Sequence, residues 1–139
     1  QAQLNLIGFD IKIDVNPPGA LREMISQSKS LWFRGSWIAD YPDAENYLSL
    51  FYSKNFCPIG PNHTHFSNSR FDMLYEKSQG ETDMNKRVDY YKEMNNLIME
   101  ESPIIVLYYD QVLRFTQKNI INLEPNPMNL LILKNVRKI

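Results

Sequence analysis

The chain has 139 residues, 43% of them hydrophobic and 22% charged, with a formal net charge of -1 at neutral pH. That length suits one compact domain with one core, and the near-balanced charge gives no strong attraction to nucleic acid or to an anionic membrane. No run of about 18 apolar residues offers a membrane-spanning helix. No basic segment followed by an apolar one reads as an export signal, which leaves the compartment open, and the single cysteine, Cys57, excludes an internal disulfide.

Residues 1–8 read as the last turn of a helix that ends at Gly8, where glycine accepts a left-handed cap at little cost. Phe9 to Val15 then alternates apolar Phe9, Ile11, Ile13 and Val15 with polar Asp10, Lys12 and Asp14, the period of a half-buried strand. Pro17, Pro18 and Gly19 break that pattern. From Ala20 to Lys29 the residues Leu21, Met24, Ile25 and Ser28 fall at helical spacing, and the aromatic run from Leu31 to Trp37 favours extended backbone. A strand, a helix and a strand with short connections predict two parallel strands joined by a right-handed crossover, hence an α/β architecture. In such sheets ligands sit beyond the carboxyl ends of the strands, which nominates Arg34, Trp37 and Asp40.

Downstream, Asp43 to Tyr52 predicts a short helix and Asn55 to Asn68 a long loop rich in Pro, Gly, Asn and His. Ser69 to Ser78 predicts a helix with Phe71, Leu74 and Tyr75 inward. Gly80 then interrupts before Thr82 or Asp83 caps the longest helix, which runs to about Glu101 on a stripe of Met84, Val88, Tyr91, Met94, Leu97 and Ile98. Pro103 stops it. Ile104 to Tyr109 reads as a buried strand that Val112 to Thr116 extends or pairs, and the tail carries a turn at Pro125 to Pro127 and a last strand near Leu130 to Val136.

Four stretches resemble, in order and spacing, the C-terminal part of the family 5 extracellular solute-binding proteins, the oligopeptide- and dipeptide-binding receptors of ABC transporters. They are Leu6 to Ile13, the segment Trp37-Ile38-Ala39-Asp40-Tyr41-Pro42-Asp43, Phe66 to Leu74, and Arg87 to Tyr91 together with Glu101 to Tyr109. The sequence departs from the family at Ala44, where many members carry proline, and the loop from Phe56 to His65 has no counterpart. The resemblance implies a periplasmic binding protein-like fold of class II, in the form of a C-terminal lobe fragment with a mixed sheet flanked by helices. It also implies that residues 1–102 form that lobe, while residues 103–139 cross to, and pack on, a second lobe beyond this chain. The parent implied is an exported, periplasmic receptor, in some forms a lipid-anchored lipoprotein, that captures peptides and delivers them to an ABC-transporter permease. No cofactor, no nucleic acid and no catalysis are expected, and a fragment with uncovered sheet edges and apolar faces is expected to self-associate.

In the family's peptide-binding members the aspartate of the Trp-x-Ala-Asp segment receives the ligand's α-ammonium, and the matching residue is Asp40. Trp37 supplies a flat apolar wall, and the planar fork of Arg34 suits a ligand carboxylate. Against this stands a plainer reading, in which Asp40 accepts turn N–H groups before Pro42, Trp37 is core and Arg34 is solvated. Related receptors bind nickel or sugars, which are the alternative ligands. Two readings belong to another class, a small hydrolase: Cys57, His63 and His65 as an open zinc site, whose spacing matches no known zinc motif, and Asp40 with Asp43 as a carboxylate pair, which no nucleophile motif accompanies.

Overall fold

A computed structural model of the chain describes every residue except Pro127 and Met128, so the expected turn at Pro125 to Pro127 lies partly outside the described residues. The chain divides into two compact units, Gln1–Arg34 and Gly35–Ile139, and that boundary falls within residues 1–102.

In the first unit, helix α1 (Ala2–Asn5) is followed by Gly8 at φ 90°, and the Phe9 N–H reaches back to the Leu4 carbonyl at 3.1 Å. This is the glycine-assisted stop expected from the sequence. Helix α2 (Pro18–Ser26) starts on a proline whose missing N–H is lost at no cost in the first turn. It ends where Ser28 takes a left-handed φ of 56° and the Lys29 N–H bonds the Met24 carbonyl at 2.8 Å.

The second unit holds the core. Helix α3 (Glu45–Leu48) runs into a 3-10 turn at Ser49–Phe51, and the long helices are α4 (Ser69–Gly80) and α5 (Met84–Glu101). Local chemistry explains both long starts. The Asn68 side chain accepts from the N–H groups of Arg70 and Phe71 at 2.9 and 3.0 Å, and Asp83 accepts from those of Asn85 and Lys86. Helix α5 stops at Ser102, left-handed at φ 50°, immediately before Pro103. Helix α4 packs on α5, and Leu48, Phe51, Phe66, Phe71, Leu74, Tyr75, Met94 and Ile98 form one apolar cluster. Phe71 and Met94 are completely covered, and Phe71 meets Phe66 edge-on at 5.5 Å. Burying a phenylalanine of this kind contributes about 1.5–3 kcal/mol. Met84 and Val88, expected on the inward stripe, are exposed, because the core meets α5 only from Tyr90 onward.

The expected α/β sheet is the main correction. Among the described residues the strands are β1 (Ile120–Ile121) and β2 (Arg137–Lys138), paired antiparallel, and the first strands are not a parallel pair. Phe9 to Val15, Leu31 to Trp37, Ile104 to Tyr109, Val112 to Thr116 and Leu130 to Val136 join no ladder. Alternation and β-branching say that a segment suits a pleated surface, but its N–H and C=O groups need a neighbouring strand in register. No such neighbour pairs with these segments, and Ile105, Leu107, Tyr109, Leu113 and Phe115 stand exposed. The second unit is thus a helical domain with a small sheet.

Candidate functional site

The segment from Trp37 to Asn46 is a turn fastened by side chains on both flanks. Asp43, just after Pro42, is the first anchor. One of its carboxylate oxygens accepts the Glu45 N–H at 2.9 Å and the Tyr91 hydroxyl at 3.0 Å, while the other meets the Arg87 guanidinium at 2.5 Å. Burial alone would raise this carboxyl, but the Glu45 N–H, the Tyr91 hydroxyl and the Arg87 charge outweigh it and hold Asp43 below the ordinary range. Burial, and then the bond to Asp43, push the Tyr91 hydroxyl up to about 12.

Glu45 is the next anchor. It is buried, and its two oxygens accept the hydroxyls of Tyr41, on the turn itself, and Tyr75, on α4. Burial first, and the Glu45 bond second, raise Tyr75; the Glu45 bond and then burial raise Tyr41, so both phenols stay protonated donors.

Asn46 completes the arrangement. Its buried amide oxygen accepts the Trp37 indole N–H at 2.7 Å and the Asp40 backbone N–H at 3.2 Å. Two of the three residues nominated from sequence are therefore brought together on one side chain. Trp37 is 37% exposed, so its ring is neither core nor free. Asp40 is exposed and its carboxylate makes no hydrogen bond or ion pair among the described residues. The turn N–H that an aspartate was expected to receive goes to Asp43 instead of Asp40. Arg34 is exposed and belongs to the other unit.

No family model matches the chain. The oligopeptide-binding protein OppA of Bacillus subtilis (strain 168) is 29% identical over 103 residues, which is 74% of this chain and 18% of that protein. The dipeptide-binding protein DppE of the same organism is 23% identical over 130 residues, 94% of this chain and 23% of its own length. The chain is a relative of the peptide-binding solute receptors. A further relative, "Probable deoxycholate-binding periplasmic protein YgiS" of Escherichia coli (strain K12), is 30% identical over 81 residues, 58% of this chain and 14% of that protein. The chain thus spans between 14% and 23% of the length of these three relatives. They are named as binding proteins, not enzymes, and no helix among the described residues is long and apolar enough to cross a membrane.

The residues of the two hydrolase readings carry other contacts. Both oxygens of Asp43 are engaged, which leaves no free carboxylate to work opposite Asp40. The buried Cys57 thiol lies 3.2 Å from His65 Nε2, and the His65 ring stacks on Phe56 at 4.7 Å. Burial, and then the charge of His65, lower His63. No group of three His, Cys, Asp or Glu side chains among the described residues is placed to hold a metal. Instead, this loop is knotted around Asn62. That fully buried side chain donates to the carbonyls of Tyr52 and Phe66, both at 3.0 Å, and accepts from Thr64. A cavity of about 500 Å³ lies in the tail between Asn122–Asn126 and Ile132–Arg137, and none of Arg34, Trp37 and Asp40 lines it.

Sequence reasoning missed Asn46, Glu45 and the role of Asp43. A signal for Asp43 was present, since aspartate two residues before a helix start forms a side-chain turn with the backbone ahead. For Asn46 no local signal existed, because what it bonds is set by how the turn folds back.

Proposed function

We propose that this chain supplies the ligand-gripping part of a two-lobed peptide receptor, with the Asp40 carboxylate taking the ligand's α-ammonium. The observation that carries this is an exposed, uncommitted carboxylate on a turn whose backbone and neighbouring indole are fixed by one buried amide. The names of OppA and DppE support a peptide ligand. In a partly dry cleft, a charge-assisted hydrogen bond of this kind contributes about 1.5–3 kcal/mol, several times more than a solvent-exposed pair. It fixes the ligand's register without reading side chains. The half-exposed Trp37 face offers an apolar wall beside it, and Arg34 is proposed to meet a ligand carboxylate.

On the same reading, residues 1–102 belong to the C-terminal lobe and residues 103–139 cross to the other lobe. The exposed Ile105, Leu107, Tyr109, Leu113 and Phe115 support this, being apolar side chains of a strand-forming sequence that await cover. The parent receptor acts outside the inner membrane and hands its ligand to an ABC-transporter permease. Such a receptor returns its ligand chemically unaltered.

Replacing Asp40 with Asn in the full-length receptor is expected to weaken binding of a free-amino tripeptide about tenfold to a hundredfold by titration calorimetry. Unchanged affinity rejects the assignment. A second reading comes from the relative named for deoxycholate, an amphipathic anion that Asp40 would repel and Trp37 would stack against. Under that reading the same substitution tightens deoxycholate and leaves the tripeptide unmoved.

A further inference from the structure

Resting on the peptide-binding reading above, we infer that Asn46 is the positioning residue of the site: its single buried oxygen sets both the plane of the Trp37 ring and the direction of the Asp40 carboxylate. Two donors three residues apart converge on that oxygen, the indole N–H at 2.7 Å and the Asp40 N–H at 3.2 Å. Asn46 is 4% exposed, so water is not available to replace it as acceptor. Its own backbone N–H bonds the Asp43 carbonyl at 3.2 Å, which ties it to the residue held by Arg87 and Tyr91 of α5. Its neighbour Glu45 is tied through Tyr75 to α4. The orientation of two ligand-facing groups is thereby referred to the helical core through one amide. A neutral acceptor suits this place, because it receives both donors without adding a second charge beside Asp40.

A purely structural asparagine and a positioning one differ in what their loss does to selectivity. The measured quantity is the ratio of dissociation constants for an N-acetylated and a free-amino tripeptide on the full-length receptor, about tenfold to a hundredfold in the wild type. Asn46→Leu and Asn46→Ser both remove the acceptor at the right reach. Each is expected to cut that ratio by about tenfold, with the acetylated peptide weakened only through the displaced Trp37 wall and therefore much less than the free-amino peptide, since misplacement of roughly an ångström suffices for such losses. Asn46→Asp keeps an oxygen in the same place and adds a negative charge beside Asp40, so it is expected to hold the ratio at or above the wild-type value. Circular dichroism identifies which variants fold, and Asn46→Ser decides the matter if the leucine variant does not. A folded leucine or serine variant with the wild-type ratio overturns the inference, as does equal weakening of both peptides. Asp40→Asn, measured in parallel, separates the two claims. If it leaves the ratio intact, the peptide-ammonium reading itself fails; if it abolishes the ratio while the Asn46 variants keep it, only the positioning role fails.

Discussion

Replacing Arg87 with Met tests whether the ion pair beneath the turn stabilises the fold. The Arg87 and Asp43 side chains are 25% and 28% exposed and meet at 2.5 Å, so the pair is neither a surface contact nor a fully buried one. Charge centres about 4 Å apart in a medium of effective dielectric about 20 attract by roughly 4 kcal/mol. Desolvation of both ions offsets more than half of this, leaving about 1.5–2 kcal/mol, in line with a charge-assisted hydrogen bond. Methionine keeps most of the aliphatic packing, so the loss reports the charge. With a urea slope of about 1–3 kcal/mol per molar for a small protein, the unfolding midpoint followed by circular dichroism is expected to fall by about 1 M near neutral pH. The pH dependence carries the sign. Asp43 is depressed in the folded state, so its contribution is complete above the unfolded value of 3.8 and disappears as the pH falls through the lower folded value. The gap between wild type and variant therefore narrows below that point. A double-mutant cycle with Asp43→Asn is expected to give a coupling of about 1–2 kcal/mol. An unmoved midpoint at neutral pH, or a gap that does not change with acid, refutes the reasoning.

Three further outcomes are expected. A Cβ on Gly60 would lie 2.4 Å from the Asn55 carbonyl oxygen and 2.7 Å from its carbonyl carbon and Cα; backbone cannot rotate aside, so Gly60→Ala costs about 1–3 kcal/mol in thermal unfolding, and an unchanged melting temperature contradicts the loop geometry. The Tyr91 hydroxyl, raised from 10.0 to about 12, contributes stability that is complete below 10.0 and is lost as the pH rises through about 12. Phenolate absorbance of wild type minus Tyr91→Phe shows that step directly, and a difference centred at the ordinary value speaks against the Asp43 bond. With Ile105, Leu107, Tyr109, Leu113 and Phe115 exposed, this 139-residue chain is expected to self-associate, seen as a mass that rises with concentration in light scattering; a monomer across the range rules it out.

What the sequence made legible follows the range of the forces involved. The starts of α4 and α5 were readable because Asn68 and Asp83 bond N–H groups only two or three residues ahead, and their inward faces because Phe71, Leu74 and Tyr75, or Met94 and Ile98, recur at the helical period. The strands were not, since Phe9 to Val15 and Ile104 to Tyr109 carry a pattern that needs a distant partner before it becomes structure. At the site, Trp37 and Asp40 were nominated from their place at the carboxyl end of an expected aromatic strand, and Asp40 also from the family resemblance. Their supports were hidden, because Asp43 meets Arg87 across 44 residues and Glu45 meets Tyr75 across 30. Nothing in residue type or spacing announces such pairs.

The scaffold beneath Asp40 differs in kind from the one expected. A strand end holds a ligand-facing residue through ladder hydrogen bonds, which register slippage disturbs. Here Asp40 rides on a turn whose fixings are side chains: the Asn46 oxygen on one flank and, on the other, Asp43 and Glu45 reaching Arg87, Tyr91 and Tyr75. Those residues stand on helices whose caps are local and whose shared core is one apolar cluster. The geometry of the turn therefore depends on α4 and α5 staying packed, and not on whether Leu31 to Trp37 ever pairs with a neighbouring strand. The Asp40 backbone is held in this way while the apolar segments of the chain remain available for whatever covers them, which is what the role proposed for Asp40 requires.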